Sequence, residues 1–167
     1  VQKFALEASA RLWKLHDSLE KRQYQPMGYY HFTVYEPKKR EIYAPYFEDR
    51  VVQHSLCDNV LRPWMEARLI YDCAACRIGK GTHFAMDRLS GFLREFYREH
   101  GIKGYVLKCD IRKYFDNVDH DILKKRLSKF PDKEVLHLLH QFIDAHGSEE
   151  GKGIPLGNQS SQWFALY

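Results

Sequence analysis

The stretch YVLKCDIRKYFDNVDHDIL, residues 105–123, restricts the fold more than any other part of the chain. Tyr105, Val106 and Leu107 open an apolar, β-prone run that ends on a carboxylate, Asp110, and an amphipathic helical pattern follows. A strand over 104–111 would set Lys108, Asp110 and Arg112 on one face and Leu107, Cys109 and Ile111 on the other. Asp110 would then stand at a sheet rim facing a cleft, with Cys109 and Ile111 toward the core. A half-desolvated carboxylate is costly without a positive neighbour. That neighbour is a cationic side chain or, since hard divalent cations take oxygen ligands, a metal ion.

The flanking segments give one strand among many helices. Apolar positions Phe4, Ala5, Ala8, Leu12, Leu15 and Leu19 predict a helix over 3–22. Two aromatic and β-branched runs in MGYYHFTVYEPKKREIYAPY predict a hairpin with Pro37–Arg40 at its tip. A helix follows from Phe47, with Glu48 and Asp49 in its first turn and a bend or stop at Pro63. Thr82 is placed to cap a helix that runs to His100 and stops at Gly101. Beyond the strand come helices over about 119–130 and 132–146, a polar glycine-rich loop, and a short helix in SSQWFALY. This order predicts an α+β fold whose strand lacks obvious sheet partners. The abrupt apolar finish and the missing initiator Met point to a piece of a longer protein, with the C-terminal segment left as an exposed apolar surface through which copies could dimerise.

Composition excludes several classes. No apolar run approaches the roughly 18–20 residues of a spanning helix, so no membrane partner is expected. Four cysteines in 167 residues do not make a disulfide scaffold and point to a reducing cytoplasm. Cys73 and Cys76 form a lone CxxC that lacks the further ligands zinc needs, which leaves them as buried small residues. His54, His83, His120, His137 and His140 lie at or near helical positions and read as structural or surface groups. The net charge of +4 is mild but clustered in EPKKRE, CRIGKG and KCDIRK, a pattern suited to polyanions.

Four segments together carry a family resemblance. In DIRKYFDNVDH, Asp110, Ile111, Tyr114, Phe115, Asp116, Val118 and His120 fill a motif that resembles the first catalytic motif of reverse transcriptases. KKREIYAPYFEDRVVQ, through Arg40, Pro45, Asp49, Arg50 and Gln53, is similar to the fingers motif of group II intron-type enzymes. CRIGKGTHFA supplies Arg77, Gly79, Lys80 and His83 to a third motif, and GIPLGNQSSQWFA resembles the Gly-x-Pro-x-Gly segment that follows in the family. The chain therefore resembles a bacterial reverse transcriptase of the diversity-generating, group II intron-like or retron-like kind.

The resemblance implies a right-hand polymerase: fingers at 1–80 and 118–152, an incomplete ferredoxin-like palm at 81–117 and 153–167, and no thumb. It implies template-directed nucleotidyl transfer to a primer 3′-hydroxyl by two metal ions, Mg2+ or alternatively Mn2+. Asp110 would be the catalytic carboxylate and metal ligand, with the Ile111 backbone carbonyl as a second oxygen. Lys38, Lys39 and Arg40 would grip the triphosphate of a dNTP. Phe115 would exclude a 2′-hydroxyl, and Leu156 and Gly157 would lie against the nascent pair. Arg50, Arg77, Lys80 and Gln162 would contact an RNA template and a DNA or RNA primer.

Two departures stand out. Leu156 stands where retroviral, retron and most group II intron enzymes have Gln and diversity-generating enzymes more often have an aliphatic residue, which implies altered base-pair discrimination. The second catalytic signature, Tyr-x-Asp-Asp, is missing, and the sequence contains no Asp-Asp pair, so the 167 residues alone are expected to be inactive. The rival function is a noncatalytic nucleic-acid-binding domain that keeps a polymerase-like fold.

Overall fold

The structure, a computed structural model, describes residues 2–146 and 151–167. It is a mixed α+β fold, with 54% helix and a two-stranded antiparallel sheet. In chain order the elements are α1 (Gln2–Leu6), α2 (Ala8–Glu20), β1 (Tyr29–Val34), β2 (Arg40–Pro45), α3 (Phe47–Leu56), α4 (Arg62–Glu66), α5 (Thr82–His100), α6 (His120–Leu127), α7 (Lys133–Asp144) and α8 (Gln159–Leu166). The predicted N-terminal helix is divided at Glu7, and Phe4 packs edge-on against Phe47 with ring centroids 4.8 Å apart. The hairpin register runs from Tyr29 opposite Pro45 to Val34 opposite Arg40, which puts the EPKK turn at its tip.

The core explains why α3 and α4 form one continuous rod. Buried positions Asp49, Val52, Gln53, Leu56, Cys57, Leu61 and Met65 make a single stripe. Steps of four from Gln53 to Met65 outrun an α-helix of 3.6 residues per turn, and a π-helical turn at Cys57–Leu61 absorbs the difference. Pro63 therefore neither stops nor breaks the rod. It follows the widened turn, where its missing N–H is accommodated. Against this stripe pack Leu123 and Leu127 of α6, Leu139, Phe142 and Ile143 of α7, and Ile154, Trp163 and Phe164. Two aspartates start the outer helices: Asp119 accepts from the Ile122 N–H at 3.0 Å, and Asp132 from those of Glu134 and Val135.

Four expectations need correction. The strand over 104–111 does not form: those residues have no regular secondary structure, because β1 and β2 pair only with each other and no third strand exists among the described residues. Cys109 and Ile111 accordingly face solvent rather than a core, Ile111 at 68% exposure. The C-terminal segment is not an orphaned apolar face. Trp163 is only 3% exposed, Phe164 is buried beside it, and the Tyr167 ring lies tilted against Trp64 with centroids 5.0 Å apart. Exposed apolar area lies instead on α5, which buries no residue, and on Tyr105–Leu107. Thr82 is the first helical residue of α5, with Gly81 in the capping position. Of the glycine-rich loop expected after α7, residues 147–150 lie outside those described. No helix among the described residues is long and apolar enough to cross a membrane.

Burial holds both His140 and His146 below the usual histidine range. Lys124 adds to the effect at His140, and His120 adds to it at His146. The unfolded chain therefore takes up these protons first, near pH 6.5. Their contribution to stability is complete above that pH and is lost as pH falls through the two folded-state values. The melting temperature of the His140→Gln/His146→Gln double variant is expected to fall less than the wild type's between about pH 7.5 and about pH 5.5. Equal slopes in thermal melts would contradict this.

Candidate functional site

The loop 151–158 is where the distant motifs meet. The segment around Phe115–His120 grips its first half through backbone bonds: Gly153 N–H to Val118 O at 2.8 Å, Ile154 N–H to Phe115 O at 2.9 Å, and His120 N–H to Gly151 O at 3.0 Å. His120 adds a side-chain tie. Its ring is buried, and its Nε2 lies 2.7 Å from the Gly153 carbonyl oxygen. A carbonyl only accepts, so Nε2 carries the hydrogen. His120 Nδ1 lies 3.7 Å from Asp144 Oδ1, which Lys124 holds at 2.5 Å. Gly153 has φ +94, a conformation open to glycine.

The second half of the loop lies against the hairpin. A Cβ at Gly157 would sit 2.2 Å from the Tyr43 carbonyl oxygen, so the close approach that glycine permits here is to β2's own backbone. Asn158 Nδ2 donates to the Tyr29 hydroxyl at 2.9 Å across 129 residues of sequence. Beside these contacts opens a cavity of about 320 Å³, bordered by Pro45, Arg50, Gln53, Gly157, Asn158 and Gln162. Three residues named from the sequence as contacts of nucleic acid or nucleotide, Arg50, Gly157 and Gln162, thus share one cavity. Gln162 Oε1 also accepts from Cys76 Sγ at 3.3 Å, which joins the CRIGKG loop to the same place. Cys76 is exposed and Cys73 half-buried, contrary to the expectation that both are buried.

The expected cations divide into two groups. Arg77 Nη1 donates to the carbonyls of Ile70, Tyr71 and Cys73 at 3.1, 3.4 and 3.4 Å. Lys80 donates to the Tyr71 carbonyl and stands 4.0 Å over the Tyr71 ring and 4.5 Å over that of Phe84. These two charges hold their own loop together. At the hairpin tip, Lys39 lies 3.7 Å from Glu41, whose carboxyl is held below the usual range by the Thr33 hydroxyl and then by His31. The side chains of Lys38, Arg40 and Arg50 have no hydrogen bond or ion pair among the described residues and remain free to meet an anion.

Asp110 is exposed and also unpaired among the described residues. Phe115 is half-buried, packs against the core and meets the Tyr114 ring edge-on at 5.6 Å. Leu156 is exposed on the loop. No group of three or more His, Cys, Asp or Glu side chains gathers among the described residues. Magnesium binds through one or two carboxylates plus substrate phosphates and water, and one free carboxylate beside a backbone carbonyl fits that donor habit. Asp110 and the Ile111 carbonyl are the groups that would hold it.

Sequence reasoning did not single out Gln53 and Asn158 as site residues, although both are buried at the cavity. A signal was there: Gln53 is, with Asp49, one of two polar residues in a mostly apolar stripe, and buried polar groups need a partner. No family model matches the chain, and no curated protein matches it significantly.

Proposed function

We propose that the chain forms the template- and nucleotide-gripping part of an RNA-directed DNA polymerase of the bacterial reverse transcriptase kind, in a right-hand architecture. One pattern supports this reading above all. Of the four segments that carry the resemblance, the three that precede GIPLGNQSSQWFA all touch it: DIRKYFDNVDH by backbone bonds, KKREIYAPYFEDRVVQ through Tyr43 and Gln53, and CRIGKGTHFA through Cys76. Arg40 and Lys38 then offer unpaired cationic side chains at the tip of the hairpin, where a triphosphate would be gripped, Arg40 in bidentate geometry. Arg50, at the cavity mouth, takes a backbone phosphate of the template. Asp110 and the Ile111 carbonyl would hold magnesium, which would supply neutralisation of phosphate charge there. With Asp110 as the lone carboxylate matched to such a centre, the 167 residues are expected to give no primer extension in isolation.

Binding of an RNA–DNA hybrid tests the reading. Fluorescence anisotropy with the full chain is expected to show affinity that falls steeply with salt, and Lys38→Gln/Arg40→Gln is expected to leave hybrid affinity within about twofold because those cations face the nucleotide. Absence of binding at low salt, or binding indifferent to salt, would contradict the proposal.

A further inference from the structure

The loop 151–158 is anchored at two places and bare between them. Gly153, Ile154 and Pro155 are buried, with the first two bonded to the segment that carries Phe115, and Asn158 is buried against Tyr29 of β1. Leu156 and Gly157 are exposed between these anchors. Where this exposed tip lies relative to Phe115 therefore depends on how the first anchor is held.

Backbone bonds hold only part of that anchor. A single antiparallel bridge pairs Asp119 with Lys152, and its bonds use the Gly151 carbonyl and the Gly153 N–H. The Ile154 N–H then goes to the Phe115 carbonyl. Between the two the chain turns at Gly153, φ +94, and the Gly153 carbonyl is left outside this ladder. A buried carbonyl needs a donor, and here the donor is a side chain, His120 Nε2 at 2.7 Å. The same ring is faced from the other side by α7, where Asp144 Oδ1 lies 3.7 Å from Nδ1 and is held by Lys124 of α6 at 2.5 Å. One imidazole nitrogen thus fixes the loop, and the other faces the carboxylate that orients the ring. His120 also continues the segment that runs from Asp110 through Phe115, so its bond fixes the loop to that same piece of chain.

We propose that His120 is a positioning residue for nucleotide selection: its bond to the Gly153 carbonyl fixes Leu156 and Gly157 relative to Phe115. The inference rests on the polymerase reading above and goes beyond it, because His120 is buried and acts only through the loop. A tip held in one place rejects a mismatched pair by its shape, whereas a tip free to shift accommodates it.

The test uses the natural protein that carries this chain, with single-nucleotide insertion on an RNA template read as kcat/KM for a matched and for a mismatched dNTP. Gln places an amide nitrogen close to the position of Nε2, whereas Asn places one close to that of Nδ1. His120→Gln is expected to keep the wild-type ratio of the two values within about twofold, and His120→Asn to lower it about tenfold, the equivalent of one lost hydrogen bond. Asp144→Ala, at a side chain 54% exposed, frees the ring and is expected to lower the ratio about threefold. Equal ratios for the Gln and Asn variants would overturn the positioning role. So would a wild-type ratio in His120→Asn with only the melting temperature lowered, the mark of a merely structural histidine. If His120→Asn does not fold, Asp144→Ala decides, and a wild-type ratio there overturns the role. Absence of insertion by the wild type would instead overturn the polymerase reading, and this inference with it.

Discussion

Gly157→Ala is expected to lower the unfolding free energy by about 3 kcal/mol, at the upper end of overpacking costs. The added Cβ would sit 2.2 Å from the Tyr43 carbonyl oxygen, 3.0 Å from the Tyr43 carbonyl carbon and 3.3 Å from Ala44 Cα. All three atoms are backbone, so no side chain can swing aside. Either β2 or the loop must move, and movement of either opens the cavity whose wall they share. Gly91, in mid-α5 with nothing near its missing side chain, provides the contrast. Gly91→Ala is expected to be neutral or to stabilise by up to about 1 kcal/mol through helix propensity. Urea denaturation measures both. A cost for Gly157→Ala below about 0.5 kcal/mol, the range of ordinary surface substitutions, would contradict the packing described.

Asp49→Ala carries a comparable cost, about 3 kcal/mol. The Asp49 carboxylate is buried, accepts from the Tyr24 hydroxyl at 2.6 Å and from the Met27 N–H at 2.8 Å, and so fixes the segment before β1 onto α3. Alanine leaves the buried Tyr24 hydroxyl without its acceptor and removes the tie to the Met27 N–H. Asp49→Asn is milder, since its oxygen accepts from Met27 while its amide donates to the Tyr24 oxygen. Burial raises the Asp49 carboxyl above its ordinary range, against the lowering effect of the Tyr24 bond. The folded state therefore keeps this proton longer than the unfolded state. That stabilisation is complete below about pH 4 and is lost as pH rises through the folded-state value. The gap between wild type and Asp49→Asn is thus expected to narrow from acid toward neutral pH in urea titrations. A gap that widens over that range would reverse the assigned sign.

Local signals were legible in the sequence. The hairpin tip at EPKK, the start at Phe47 and the stop at Gly101 each depend on turn or capping chemistry within a few residues. Elements that depend on distant partners were not. The Tyr105–Ile111 run has the right residues for a strand, yet a strand exists only when another pairs with it. The burial of Trp163 and Phe164 is decided by α3 and the π turn, far away in sequence, so the same apolar residues read equally well as an exposed end. At the site, Arg50 and Gln162 were legible as polar residues in polar motifs. Arg77 and Lys80 were read as contacts for nucleic acid; their bonds to the carbonyls of the segment 70–73 were not legible from spacing. Asn158 was hidden because its role follows from a contact with Tyr29 that no spacing reveals.

Primer extension on an RNA template, by the natural protein that carries this chain, tests the central claim most directly. Wild type is expected to incorporate dNTPs, and Asp110→Asn is expected to lower incorporation by at least about 100-fold, the equivalent of several kcal/mol of lost charge stabilisation, with hybrid affinity nearly unchanged. Extension by Asp110→Asn at the wild-type rate, or none by the wild type, would contradict the account and favour a nucleic-acid-binding domain without catalysis.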